Sequence, residues 1–193
     1  MKREISLELF SKVPLFRGLN ETECRQVAEI AQRKEFGPGE VIIRQGQRSQ
    51  ELWVLLEGKC DVIKLSSDEE QAGEPLVLAV LEPYSHFGEM SFFHSAPHSA
   101  SVRAQTPVKL LKIIRGDYEE LIQEGCRAAY KLAYNTVECL AERLRKMDEW
   151  VAELTAKASA NGQAVASDPS AASESRAQEW SEFREKMLSS WNI

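Results

Sequence analysis

Tyr84-Ser-His-Phe-Gly-Glu-Met-Ser-Phe-Phe-His-Ser-Ala-Pro-His-Ser-Ala-Ser-Val102 is the stretch on which the reading of this chain turns. It links an apolar run ending near Leu81 to another beginning near Ser101. Gly88 permits a backbone turn that other residues resist. Met90-Ser-Phe-Phe93 is long enough for one helical turn, and Pro97 then stops it. A glycine turn opening a single helical turn gathers several unpaired N–H groups in one place, which suits an anion, typically a phosphate. Glu89 stands at the mouth of that turn, where its carboxylate can accept hydrogen bonds from a sugar hydroxyl. By itself this pattern is common among loops.

The flanks of this stretch read as strands. Between about Lys34 and Ile114 short apolar runs recur: Val41-Ile42-Ile43, Leu52 to Leu56, Leu76 to Leu81 and Val108 to Ile114, with Cys60 to Leu65 partly alternating. Glycines and prolines punctuate them, at Gly37-Pro-Gly39, Gly46, Gly58, Gly73-Glu-Pro75 and Pro83. Many short strands at near-regular spacing predict an antiparallel barrel or jelly roll. Ser66 to Glu74 is polar and acidic and reads as a solvated hairpin tip.

Helical patterns bracket the strands. Asn20-Glu-Thr-Glu23 places an Asn cap with a Glu three residues on, and Cys24, Val27, Ala28 and Ala31 then recur at helical spacing. Beyond the strands, Tyr130, Ala133, Val137, Leu140, Leu144, Met147, Val151 and Leu154 are spaced 3, 4, 3, 4, 3, 4, 3. Such a heptad seam predicts a helix packed along its length on a partner helix. The competing reading lays the stripe on the protein's own strands. The organisation expected is therefore a β-roll with an N-terminal helix over 6–116, a long helix over 117–157, a flexible Ala/Ser-rich linker over 158–178 and an amphipathic tail helix over 179–193. Trp180, Phe183, Met187, Leu188 and Trp191 fall on one face of that tail, which is expected to dock on its own domain or in a partner's groove, or else to be disordered.

Composition narrows the function. The chain has 193 residues, 43% apolar and 28% charged, with a net charge of −6. An acidic chain without a Lys/Arg cluster lacks the counterion-releasing surface that dominates non-specific DNA affinity, so no nucleic-acid partner is expected. No signal peptide or membrane span is legible, which makes the protein cytoplasmic by expectation and gives it no membrane partner. Cys24, Cys60, Cys126 and Cys139 are scattered without a C-x-x-C pair and read as reduced and buried. No nucleophile elbow, phosphate-cradling G-x-x-x-x-G-K-[ST] loop or H-E-x-x-H occurs, and Ser11, Ser85 and Ser91 have no suggestive partners. The chain is read as not an enzyme, with Trp53 and Phe92 in the core.

Phe87-Gly-Glu89, followed eight residues on by Pro97-His-Ser-Ala-Ser-Val102, resembles the phosphate-binding cassette of cyclic-nucleotide-binding domains, which reads F-G-E-x-[AS]-L and then P-R-[AST]-A-[ST]-[VI]. Phe36-Gly-Pro-Gly-Glu-Val-Ile-Ile43 with Gln45-Gly46, Leu52-Trp-Val-Leu-Leu-Glu-Gly58, Ile114-Arg-Gly-Asp-Tyr118 and Leu140-Ala-Glu-Arg-Leu144 resemble other segments of that family in the same order. The similarity covers about residues 9 to 150. It implies an α+β fold, an antiparallel β-roll flanked by an N-terminal helix and a long C-terminal helix, like that of the catabolite activator protein. The transcription factors of this type add a winged helix. Only 36 residues follow Lys157, many of them linker, so that DNA-binding part is not carried over.

The resemblance also implies roles. Glu89 would hold the ribose 2′-hydroxyl. Backbone amides around Gly88, Met90, Ser99 and Ala100, with the Ser99 hydroxyl, would hold the cyclic phosphate. Met147 and Asp148 fall where the family's long helix approaches the purine. The family's phosphate-pairing arginine is replaced here by His98, and a neutral imidazole offers one donor in place of a permanently charged planar fork. Arg103 lies one step from apolar Val102 on a strand and should face the other way.

The function implied is a non-catalytic cyclic-nucleotide sensor that binds cyclic AMP or cyclic GMP, weakly because of His98, and signals through its long helix as a homodimer joined over 130–154. No cofactor is expected. A degenerate scaffold or dimerisation module is the alternative. A third reading is a metal-binding jelly roll, since His86, His94 and His98 lie close together with Glu89. Metal-binding rolls bring histidines two apart along a strand, however, and that spacing is absent.

Overall fold

Five consecutive buried residues, Leu52-Trp-Val-Leu-Leu56, decide how the chain is layered. Alternate side chains of a strand point to opposite faces, so a run apolar at every position is buried only when both faces of its sheet are covered. The computed structural model describes residues 7–65 and 76–162, and in it both faces are covered. The strands are β1 (Ala31–Phe36), β2 (Val41–Ile43), β3 (Glu51–Glu57), β4 (Cys60–Lys64), β5 (Leu76–Leu81), β6 (His86–Phe87), β7 (Ser101–Ala104) and β8 (Val108–Ile114). They form two four-stranded sheets of order β1-β8-β3-β6 and β2-β7-β4-β5. Every pairing is antiparallel, as the spacing of apolar runs predicts.

The helices are α1 (Leu7–Lys12), α2 (Glu21–Ile30), α3 (Glu89–Phe93), α4 (Arg115–Gln123) and α5 (Arg127–Gly162), with a 3₁₀ turn at Pro14–Phe16. Register assigns each side of the first sheet. Leu52 lies opposite Ile113 and Val54 opposite Leu111, and these four face Phe16, Val27, Phe92, Tyr118 and Leu132 of the helical layer. Trp53 and Leu55, with Phe87, Val108 and Leu110, face the second sheet and pack on Ile43, Cys60, Leu81, Val102 and Ala104. Each fully buried large apolar side chain contributes roughly 1.5–3 kcal/mol. The sheet is thus held from both sides. All four cysteines are buried.

The Asn20 cap forms as the sequence predicts, with Asn20 Oδ1 accepting from Glu23 N–H at 2.9 Å and Glu23 Oε2 accepting from Asn20 N–H at 2.8 Å. Ala31, assigned to the buried face of that helix, instead ends it in extended conformation (φ −83°, ψ 131°) and opens β1 opposite Ile113. Sheet pairing at this position overrides the helical spacing.

The long helix expected over 117–157 is two helices. Gly125 adopts a left-handed φ of 71° between α4 and α5, and Gly125 N–H and Cys126 N–H donate to the carbonyls of Ile122 and Leu121, closing the first helix. Such a glycine stop needs no side chain and leaves no trace in apolar spacing. α5 also runs on to Gly162, into the stretch read as linker. The rest of that linker, the tail helix over 179–193 and the whole hairpin tip lie outside the described residues.

The turn from β3 to β4 depends on Gly58. Its φ is 86°, and a Cβ there would sit 2.3 Å from the Pro107 carbonyl oxygen. Gly58→Ala should lower the unfolding free energy by about 1–3 kcal/mol, read as a reduced urea midpoint at unchanged slope. An unchanged midpoint would show that the turn has room to adjust.

Candidate functional site

β6 is two residues long, and pairing with β3 sets Phe87 opposite Trp53 and His86 opposite Val54. The chain then turns at Gly88, whose φ is 84°. A Cβ on Gly88 would meet the Glu51 carbonyl oxygen at 2.5 Å and the Trp53 ring at 3.5 Å, so only glycine lets the backbone lie against β3 here. The single helical turn α3 follows. Arg115 of α4 holds it from below: its guanidinium donates to the Phe92 carbonyl at 3.2 Å and lies 5.7, 5.9 and 5.6 Å from the rings of Phe92, Phe93 and Tyr118. The first amides of a helix have no intrahelical acceptors, and those of α3 begin at the turn that Gly88 makes.

Glu89 opens α3 with its side chain only 7% exposed. Arg143, in the fifth turn of α5, donates Nη1–H to Glu89 Oε1 at 2.8 Å and Nη2–H to the His86 carbonyl at 2.9 Å. Burying one charge alone costs several kcal/mol, so each partner requires the other. The pair joins the cassette turn to the long helix. Arg143 was not marked as a site residue by sequence. The signal for it was positional, since it lies four residues beyond buried Cys139, itself on the inward stripe with Leu132, Asn135 and Thr136.

His98 occupies the cassette position that holds arginine in the family pattern, and it is 5% exposed. Its Nε2 lies 2.8 Å from Ser49 Oγ and its Nδ1 3.1 Å from Ser91 Oγ. A neutral imidazole donates to one hydroxyl and accepts from the other. Backbone bonds fix it further, Gly46 N–H to the His98 carbonyl and His98 N–H to the Gln47 carbonyl. Burial lowers the pKa of this imidazole, and the Glu51 carboxylate opposes that only in part. Ser91, which showed no partner in sequence, is thus one of the two hydroxyls that hold the ring, and Ser49 is the other.

The remaining predicted positions scatter. Met90 and Ser99 are exposed beside the turn and Ala100 is half-buried. The Ser99 carbonyl accepts from Lys64 Nζ at 2.6 Å. Met147 and Asp148 are exposed on α5, beyond Arg143. Arg103 faces away from the cassette and pairs with Asp61 at 3.2 Å. The three histidines do not converge: His86 is buried on the helix-facing side of the sheet, His98 is held by serines and His94 is exposed. Among the described residues no three metal-ligating side chains cluster, and no helix is long and apolar enough to cross a membrane.

Residues 33–125 match the family profile described as the cyclic nucleotide-binding domain. That span covers the cassette and stops before α5, so Arg143 lies outside it. The cyclic AMP receptor protein of Thermus thermophilus is 34% identical over 135 residues, which is 70% of this chain and 59% of that protein. The crystal structure of the Thermus thermophilus catabolite activator protein is similar at a TM-score of 0.64 and 33% identity, covering 74% of this chain and 63% of that one. The regulatory subunit of a cAMP-independent protein kinase A from Trypanosoma cruzi, solved bound to guanosine, is similar at 0.55 and 28%, covering 72% of this chain and 50% of that one. This chain belongs to the cyclic nucleotide-binding domain family, in its form resembling the catabolite activator protein. It spans about 59% of the length of that curated relative.

His86 has a fully buried ring whose two nitrogens lack partners among the described residues. Burial, with the nearby Arg143 charge, pushes its pKa down to about 3. The unfolded chain therefore takes up a proton at His86 below about pH 6.5 while the folded chain does not, and stability is lost as pH falls; the lowered pKa of His98 acts in the same direction. His86 contributes up to about 1.4 kcal/mol per pH unit in that window. His86→Leu should remove a large part of the acid sensitivity between pH 6.5 and 5 in urea titrations. An unchanged slope would mean the ring finds a partner.

Proposed function

We propose that this chain is a non-catalytic sensor whose cassette takes a cyclic nucleotide, cyclic AMP or cyclic GMP, and whose α5 helix carries the response. The observation that carries this reading is the buried Glu89–Arg143 pair. Glu89 sits where the family pattern places the group that accepts from the ribose 2′-hydroxyl, and its Oε1 is already bonded to the helix. A ribose hydroxyl arriving at Glu89 shares or displaces the Arg143 contact. The ligand then has different affinities for two seatings of α5, which is the condition for any ligand-driven change.

His98 makes the binding weak. Its ring is neutral and both nitrogens are engaged by serines, so it supplies no charge to the phosphate. A hydrogen bond to a charged group is worth roughly 1.5–3 kcal/mol. By calorimetric titration, Glu89→Gln should weaken cyclic-nucleotide binding ~10-fold or more, and His98→Arg should tighten it ~10- to 100-fold. A wild-type chain and a His98→Arg variant that both give no heat at millimolar nucleotide would leave a scaffold in place of a sensor. The neutral cassette also favours a second reading, an uncharged nucleoside, as in the relative solved with guanosine. Guanosine or adenosine binding tighter than the matching cyclic monophosphate would select it.

The helix has two unlike faces. Ala128, Ala129, Leu132, Thr136 and Cys139 are buried on the domain, and Asn135 donates to the carbonyls of Leu15 and Arg17 at 2.9 Å each. Tyr130, Tyr134, Val137, Leu144, Met147 and Val151 are exposed. The second stripe, over ~32 Å of helix, is available to the same stripe of another copy. Half-buried Ala133 and Leu140 flank it, and Tyr134 joins the seam. We read this face as the homodimer contact. Leu144 is 59% exposed, so Leu144→Asp should leave the fold intact and halve the mass measured by light scattering. A monomeric wild-type chain would rule the contact out.

A further inference from the structure

A bound cyclic phosphodiester brings one full negative charge to a cassette whose arginine position holds a neutral ring. Register shows where a cation stands instead. In the pairing of β4 with β7, Cys60 lies opposite Ala104, Val62 opposite Val102 and Ile63 opposite Ser101. Cys60, Val102 and Ala104 belong to the core between the sheets, with Val62 packed against it. Lys64 is the last residue of β4, one past Ile63, which pairs with Ser101, and it is exposed.

The ammonium of Lys64 donates to the Ser99 carbonyl at 2.6 Å, on the residue that follows His98. Gln45 stitches the neighbouring loop to the end of β4, accepting from Leu65 N–H at 2.9 Å, while its own N–H donates to Ser101 Oγ at 2.9 Å. Lys64 is thus an exposed cation held beside the cassette exit by the Ser99 carbonyl.

Three cations around the roll are committed to carboxylates, while Arg44 and Arg48 are exposed on the loop that follows β2. Arg143 pairs with Glu89, Arg103 with Asp61 and Lys112 with Glu51. Lys64 has no carboxylate partner among the described residues. Its bond at Ser99 is to a neutral carbonyl, and an anionic phosphate oxygen competes for it by adding charge–charge attraction to the hydrogen bond. The flexible four-carbon stem allows the exchange without moving the strand.

We propose that Lys64 is the charge partner of the ligand's phosphate in this chain, standing in for the absent arginine from the opposite strand. The inference rests on the cyclic-nucleotide reading of the cassette. On binding, the ammonium leaves the Ser99 carbonyl for a phosphate oxygen, which also frees that carbonyl. Recognition is then a point-charge contact, sensitive to salt.

The test is calorimetric titration of the full chain with cyclic AMP and cyclic GMP, and with adenosine and guanosine as uncharged controls. Lys64→Met should weaken the cyclic nucleotides ~10- to 100-fold and leave any nucleoside binding within about twofold. Lys64→Arg should restore most of the loss. Wild-type affinity should fall several-fold between 50 and 500 mM salt (about 14 to 4 Å of screening length), and Lys64→Met should flatten that dependence. Cyclic-nucleotide binding that is unchanged in Lys64→Met, or a salt dependence that survives the substitution, overturns the inference and leaves the sensor reading standing. An equal loss for nucleoside and nucleotide makes Lys64 structural and also overturns it. A wild-type chain that binds no cyclic nucleotide overturns both.

Discussion

Everything in this molecule hangs on one sheet that is apolar on both sides. β3 contributes five consecutive buried side chains, alternately to the helices and to the second sheet. A one-residue slip of β3 against β8 would turn both sets to the wrong layer, so the register is strongly specified. The cassette inherits that precision. Gly88 rests on the carbonyl of Glu51 at the start of β3, and α3 is clamped from the other side by Arg115, which directly follows β8. The turn is therefore positioned by the most rigid part of the fold and not by its own loop.

The long helix is joined to this sheet by two kinds of contact. Near its start the attachment is apolar packing plus the bonds of Asn135 and of the Tyr118 hydroxyl, which donates to the Ala129 carbonyl at 3.0 Å, together with the ion pair of Lys131 with Glu23 at 2.5 Å. Two turns beyond Asn135 the attachment is ionic and runs through Arg143 to the one side chain that the family pattern assigns to the sugar. A buried ion pair is conditional in a way that packed carbon is not, because a competing hydroxyl at one partner changes the energy of the other. In the sensor we propose, a ligand addresses the helix through this middle contact, with the apolar outer stripe carried along.

Much of the site was legible before any coordinates. The Phe87-Gly-Glu89 turn, the single helical turn and the inward alternation of Val102 all stand where spacing puts them. What periodicity could not convey was partner choice. Ser49 and His98 are 49 residues apart, and Glu89 and Arg143 are 54 apart. A serine or an arginine carries no apolar mark showing which way it faces. The departure at position 98 was visible as a change of residue. That the ring is neutral, doubly bonded and nearly sealed from water followed only from what packs around it.

The sequence alone determined the layers, because burial of alternating or continuous apolar runs is a local property that any neighbour of the right kind satisfies. It also determined that a glycine turn with an acidic residue at its mouth would join two strands, since positive φ at Gly88 is a backbone requirement. The tertiary structure alone decided that α4 and α5 are separate helices and that the Lys64 ammonium lies on the Ser99 carbonyl. It alone brought Arg143 to Glu89. These outcomes depend on register and on long-range juxtaposition, where one unit of strand offset or one helical turn moves a charge by several ångströms. Charges interact through distance, and distance between remote residues exists only once the chain has folded.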